Sequence, residues 1–146
     1  MFFSKSFGYA LRGVLYVSIE GKEGRKIQIE EIAEQLSVPR HFLAKIMKAV
    51  VKKGILNSTK GPYGGFSINK KTLNTKLIHL VELTDGTELF NNCILGLKNC
   101  NGKNPCPLHD EIALIRSQLL NKFGKTRVGD LTDEENVNFI QSLAVV

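Results

Sequence analysis

The sequence of 146 residues contains no tryptophan, only two methionines and only three cysteines. No apolar run approaches the roughly 20 residues that a membrane-spanning helix needs, so we expect no association with a membrane. Arg12 interrupts the apolar start MFFSKSFGYALRGVLYV, and no small-residue cleavage site follows, which argues against a secretory signal. We therefore expect a cytoplasmic protein.

Sequence patterns of catalysis are missing as well. A Cys–His pair can serve as nucleophile and base, but the segment NCNGKNPCPLH has neither an oxyanion loop nor a third residue to orient such a pair. The glycine-rich GPYGGF lacks the Lys and the Ser or Thr of a phosphate-binding loop and fits a hairpin instead. We therefore expect that the protein is not an enzyme.

Acidic residues are scarce in the first half of the chain. Residues 1–76 contain 14 Lys and Arg against 5 Asp and Glu, whereas residues 77–146 contain 6 against 9. The net charge of +6 therefore belongs to the first half, where a polyanion would bind. A basic surface that is only solvated is the alternative. The difference predicts two regions with separate functions, 1–76 and 77–146.

The first half predicts a winged helix-turn-helix. Apolar spacing indicates one helix that ends before Gly21, a second in IEEIAEQLSV and a third between Pro39 and Gly54. Two short extended segments, 55–60 and 66–69, flank GPYGG and predict a hairpin. The expected fold is mainly α with a small β-hairpin wing. The predicted core face of the third helix consists of Phe42, Leu43, Ile46, Val50 and Val51.

The second helix of such a pair lies in the DNA major groove, and the hairpin can reach an adjacent groove or a phosphate. The alternatives are a solvated lysine-rich face and a protein-interaction module. The basic residues agree in position with Pro39 and with the wing, which favours double-stranded DNA. The residues expected at the DNA interface are Arg40, His41, Lys45, Lys48, Lys60 and Tyr63.

The second half predicts one helix in NTKLIHLVELTDG and a longer one in PLHDEIALIRSQLLNKFGK. We expect the long helix to pair with a second copy of itself, because a homodimer would present two recognition helices to a near-palindromic operator. The alternative is that it folds back on its own domain. Thr132 and Glu135 predict a last short helix. The apolar stripe of the long helix consists of Leu108, Ile112, Ile115, Leu119 and Phe123.

The three cysteines all lie in one segment, CILGLKNCNGKNPCPLH, at Cys93, Cys100 and Cys106, and His109 ends it. An odd number of cysteines in a reducing cytoplasm argues against a disulfide framework. Thiols clustered beside an imidazole point instead to metal binding or redox chemistry.

Four features together resemble the Rrf-two family of bacterial winged-helix regulators. They are the start SKSFGYALRGVLYVS, the helix pair IEEIAEQLSVPRHFLAKIMKAVVKKGIL, the wing KGPYGGF and the cysteine triplet, and the resemblance spans nearly the whole chain. It implies a regulator that binds DNA as a homodimer through the winged helix. It also implies an iron–sulfur cluster in the cysteine loop, and we expect the regulator to be a repressor.

Thiolates are the preferred ligands of iron–sulfur clusters, and a histidine can replace one of them. Three cysteines leave one position, for which His109 is the nearest candidate, as in the cluster-regulator (IscR) branch of the family. The nitric-oxide (NsrR) branch instead uses an acidic residue near the N-terminus of the partner, where this sequence has Gly8. With His109 as the candidate fourth ligand, we expect a [2Fe–2S] cluster rather than a [4Fe–4S] cluster.

A structural zinc ion and a thiol redox switch are the alternatives to a cluster. Structural zinc usually takes two close ligand pairs. Cys106 and His109 make one such pair, whereas Cys93 and Cys100 are too widely spaced to make a second easily. The first gap, six residues, is also one longer than in the family pattern.

Overall fold

The computed structural model describes residues 3–133 and residue 143. Within these residues the chain forms six α-helices, three short 3-10 helices and one antiparallel hairpin, which confirms the predicted class of a mainly α fold with a β wing. None of the described helices is long and apolar enough to cross a membrane. The elements are α1 (Lys5–Glu20), α2 (Ile29–Leu36), α3 (Arg40–Lys52), β1 (Asn57–Thr59), β2 (Gly65–Ser67), α4 (Leu77–Thr84), α5 (His109–Lys125) and α6 (Val128–Leu131).

The helix α1 is the centre of the core. The Ser4 side chain accepts a hydrogen bond from the Phe7 N–H and caps its start, and the chain leaves the helix at Gly21 as predicted. Val14, on the inward side of α1, is fully buried, and α1 contacts both α3 and α4. A Cβ on Gly13 would lie 2.5 Å from the sulfur of Met47, so the missing side chain lets α1 approach α3 closely.

The helices α2 and α3 form the expected helix-turn-helix. Ser37 ends α2 in the left-handed conformation with φ of 56°, and Val38 N–H donates to the Ala33 carbonyl at 3.0 Å, which turns the chain into α3. The prediction for Phe42 was wrong, since it is 53% exposed. The buried residues of α3 are Leu43, Met47 and Val50, so the inward face includes Met47 and not Phe42.

The wing is a short hairpin in which Asn57 pairs with Ser67 and Thr59 with Gly65. Ile27, just before α2, bridges to Phe66 and ties the hairpin to the helix pair. Gly65 has φ of +136°, and a Cβ there would lie 2.6 Å from the Ile27 carbonyl oxygen. The glycine is therefore needed for the close approach of these two backbones.

The helix α5 packs on α4 and on the start of the chain, because the Phe123 ring stacks on Phe3 with centroids 5.1 Å apart. The predicted apolar stripe is consequently divided. Leu119 and Phe123 pack against the core of their own chain, whereas Ile115 is 55% exposed. The helix predicted from Thr132 to beyond Glu135 lies largely outside the described residues.

Candidate metal centre and nucleic-acid interface

The cysteine loop, residues 91–108, leaves the core at the buried Phe90 and ends where α5 begins at His109. Fifteen of its eighteen residues are exposed to solvent. The half-buried ones are Cys93, Cys100 and Cys106. The loop therefore has no apolar core of its own, and its thiols are the groups that its fold turns inward.

The three sulfurs lie within 4.8 Å of one another. The Cys106 N–H donates to Cys100 Sγ at 3.4 Å, and Cys100 Sγ lies 3.3 Å from His109 Nδ1. A short turn at each end holds this arrangement, because Gly96 N–H donates to the Cys93 carbonyl and His109 N–H to the Cys106 carbonyl, both at 3.0 Å. The predicted thiols and the imidazole thus meet at one place.

The pKa values of Cys93 and Cys100 are shifted in opposite directions. The Leu97 N–H, and to a smaller extent other groups of the turn, lower the pKa of Cys93. For Cys100 the Cys106 N–H favours the thiolate, but burial and the sulfurs of Cys106 and Cys93 outweigh it and raise the pKa. A metal cation between the sulfurs would favour the thiolate form of all three, since metal binding releases thiol protons.

The donor set fits a thiophilic metal or an iron–sulfur cluster. His109 contacts one thiol, Cys100, and does not belong to the group in which every ligand atom lies within 4.8 Å of the others. Three sulfurs this close also suit a single zinc ion, because sulfurs about 2.3 Å from a tetrahedral ion lie about 3.8 Å apart. In the described part of the chain, this is the one group of three potential ligands that meets the distance criterion.

Sequence reasoning missed Arg116, which lies beside the thiols. Its side chain lines a cleft of about 450 Å³ together with Cys93, Cys100 and His109. The signal was present in the spacing, because Arg116 follows His109 by seven residues, or about two turns of α5, and so shares its face of the helix.

The outer face of α3 carries the predicted basic residues. His41, Lys45, Lys48 and Lys52 are all exposed and follow one another at four, three and four residues, so they form one stripe opposite the buried face. No acidic residue occurs in α3 to offset their charge. A continuous positive stripe of this kind suits a phosphate backbone.

The remaining predicted DNA contacts, Arg40, Lys60 and Tyr63, lie outside this stripe. The Arg40 guanidinium is paired with Glu30 at 2.9 Å and is therefore less available to a phosphate. Tyr63, at the tip of the wing, is 93% exposed, and Lys60 beside it is exposed as well. Sequence reasoning assigned Phe42 to the core, whereas its ring lies on the outer surface 4.2 Å from that of His41.

Comparison with known proteins matches residues 3–134 to the family model of Rrf2, described as an iron-dependent transcriptional regulator. A protein of Aquifex aeolicus, assigned as an HTH-type transcriptional regulator, is 34% identical over 137 residues, which are 92% of this chain and 94% of that protein. The HTH-type transcriptional regulator IscR of Escherichia coli is 21% identical over 129 residues, 88% of this chain and 78% of IscR.

Solved structures share the fold. CymR of B. subtilis, the global cysteine regulator, superposes with a TM-score of 0.72 at 16% identity and covers 88% of this chain and 94% of its own. IscR of T. potens gives a TM-score of 0.66 at 13% identity, with 88% of this chain and 83% of its own covered. The helix-turn-helix, the wing and the match over residues 3–134 lead to one conclusion: the chain belongs to the Rrf2 family and is a DNA-binding transcriptional regulator, with a non-enzymatic role.

Proposed function

We propose that the protein is a cytoplasmic, homodimeric repressor whose operator binding is controlled by an iron–sulfur cluster. The proposed cluster ligands are Cys93, Cys100 and Cys106, with His109 as the fourth. The observation that carries the proposal is the convergence of these thiols within 4.8 Å in a loop that has no other inward-facing side chain. The description of the family as iron-dependent regulators, and the relatives named IscR, support a metal or iron–sulfur cofactor.

The first half, residues 1–76, is the proposed DNA-binding region. The stripe from His41 to Lys52 would enter the major groove, and Lys60 and Tyr63 on the wing would reach the neighbouring backbone. Arg40 belongs to this set through its place at the first turn of α3, although Glu30 competes for it.

The second half, residues 77–146, is the proposed sensing and dimerisation region. Leu108 and Ile115 lie on the predicted stripe of α5 and are exposed in the single chain, so a second copy of α5 would cover them. His109 is the first residue of α5, which means that ligation there would fix the start of the dimer helix. Two recognition helices must meet half-sites about 34 Å apart, so a small rotation of the paired helices changes the fit to an operator.

A bound cluster would be lost, oxidised or changed in charge reversibly, and this change would be the signal. The cysteine thiolates bind it, and the imidazole of His109 favours [2Fe–2S] over [4Fe–4S]. The second candidate is a single zinc ion with a structural role, which the close spacing of the three sulfurs favours. The third candidate is a redox switch formed by the same thiols without a metal.

Anaerobic purification, followed by an absorption spectrum and by iron, acid-labile sulfide and zinc analysis, distinguishes these forms. A cluster gives visible charge-transfer bands with equal iron and sulfide. Colourless protein with about one zinc per chain would replace the cluster with the structural ion. Protein free of all metals would leave only thiol chemistry and contradict the proposal.

A further inference from the structure

The side chain of Arg116 is the one charged side chain among the buried residues that the structure describes, with 8% of its surface exposed. A buried guanidinium is costly unless opposite charge and hydrogen bonds compensate it. Its Nη1 donates to the carbonyl of Asn92, at the start of the cysteine loop. Its Nε is buried, and no described residue accepts a hydrogen bond from it.

The described residues also provide no opposite charge. The three ion pairs found among them join Arg25 to Glu31, Arg40 to Glu30 and Arg127 to Asp130, and none involves Arg116. Replacing such a side chain by an apolar one of similar size is often neutral or stabilising. The described part of the fold therefore gives no reason to bury this cation.

The position of Arg116 supplies a reason. It lines a small cavity together with Cys93, Cys100, Cys106 and His109. It lies about 10 Å along α5 from His109, and long side chains in helices lean toward the N-terminal end, here toward the thiols. The cation and its unpartnered donor therefore belong to the wall of the cysteine site.

We propose that Arg116 is the counter-charge and hydrogen-bond donor of the metal centre, a positioning residue that holds the centre through its sulfurs. This inference rests on the proposed function. Three thiolates outweigh the charge of an oxidised [2Fe–2S] core by about one unit, and reduction adds another. Arg116 offsets this negative charge, and its Nε–H is available to a sulfur. Its bond to Asn92 also ties the loop to α5.

Net charge and hydrogen bonds to the sulfurs set the potential and the retention of such a centre. In Arg116→Met the cation is lost but the volume is kept. We expect a midpoint potential shifted to more negative values and cluster loss to a chelator about ten- to a hundredfold faster. The melting temperature of the metal-free protein should stay unchanged or rise, because a buried charge has been removed.

Two variants serve as comparisons. Arg116→Lys keeps the charge without the Nε–H and should stay closer to the wild-type potential than Arg116→Met. Lys125→Met removes an exposed positive charge from the same helix and should change neither potential nor retention. The readouts are spectroelectrochemical titration, iron and sulfide content with time in chelator, and thermal melting of the metal-free chains.

The inference is wrong if loaded Arg116→Met keeps the wild-type potential and retention. It is also wrong if this variant fails to fold or melts lower without metal, since Arg116 would then be required by the fold itself. Wild-type protein that holds no iron and sulfide would contradict the proposed function as well, so the two failures are separated by the wild-type analysis.

Discussion

The winged helix and the cysteine loop differ in what holds them in place. In the winged helix, Val14, Leu43 and Met47 are fully buried and bring α1 and α3 together. In the loop, none of residues 91–108 is buried. Backbone turns and three half-buried thiols determine its shape. The first region can therefore keep its form without a ligand, whereas we propose that the second is held in place by the metal that its thiols bind. This difference fits the proposed sensing role, because regions of low local stability are the ones that respond.

The largest expected effect comes from the cysteines. Replacing Cys93, Cys100 or Cys106 singly by Ala should abolish stoichiometric iron and sulfide binding, because one iron would lack a ligand. Metal-free stability should change little, since the loop contributes no core. Iron analysis and thermal melting of each variant check both statements. Full iron content in all three variants would rule out this loop as the binding site.

The second prediction compares one leucine from each region. Leu43→Ala removes fully buried side-chain volume and should lower the free energy of unfolding by about 2–5 kcal/mol. Leu95 is 52% exposed, so Leu95→Ala should stay within about 0.5 kcal/mol of wild type. Urea unfolding of the metal-free proteins measures both. Similar losses for the two variants would remove the contrast between the regions.

The third prediction concerns the dimer. Ile115→Asp places a charge on the exposed part of the α5 stripe and should weaken self-association by about a hundredfold, because an unpaired charge is costly to bury. Leu114→Asp is the matched control, since Leu114 is also exposed but lies on another face of the helix. Sedimentation at several concentrations distinguishes them. Equal association of both variants would place the interface elsewhere.

The smallest predicted effect concerns DNA. Lys45→Ala combined with Lys48→Ala should weaken binding to a selected operator about tenfold and lower the salt slope by about two units per subunit. Lys122→Ala with Lys125→Ala removes the same charge from α5 and should leave the salt slope unchanged. If the α3 pair keeps the wild-type affinity and slope, α3 does not contact the phosphate backbone.

Local patterns predicted most of the fold. Gly21, Pro39 and Gly54 marked helix ends, and the two short extended segments around GPYGG marked the wing, because these signals depend on neighbouring residues. The prediction that Phe42 faces the core was wrong. Apolar residues lie on several sides of α3, so its tertiary contacts determine which side faces inward. The fold-back of Phe123 onto Phe3 likewise depends on residues far apart in the chain.

The candidate site was predictable as a set of residues but not as an arrangement. The cysteine spacing and His109 indicated the candidate ligands, and the structure brings the three sulfurs together. The 3.3 Å contact of His109 with Cys100 and the burial of Arg116 depend on how the loop meets α5. An arginine inside an amphipathic helix gives no sign in the sequence that its charge is buried.

The most direct test measures operator affinity in both states of the centre. DNA selected from random fragments is titrated with anaerobically loaded wild-type protein and with the same preparation after chelation, beside the cysteine variants. We predict that loading changes the affinity or the preferred sequence of the wild type, and that each cysteine variant behaves as the metal-free protein does. Identical affinity and sequence preference in loaded and metal-free wild type would contradict control of DNA binding by the cysteine loop.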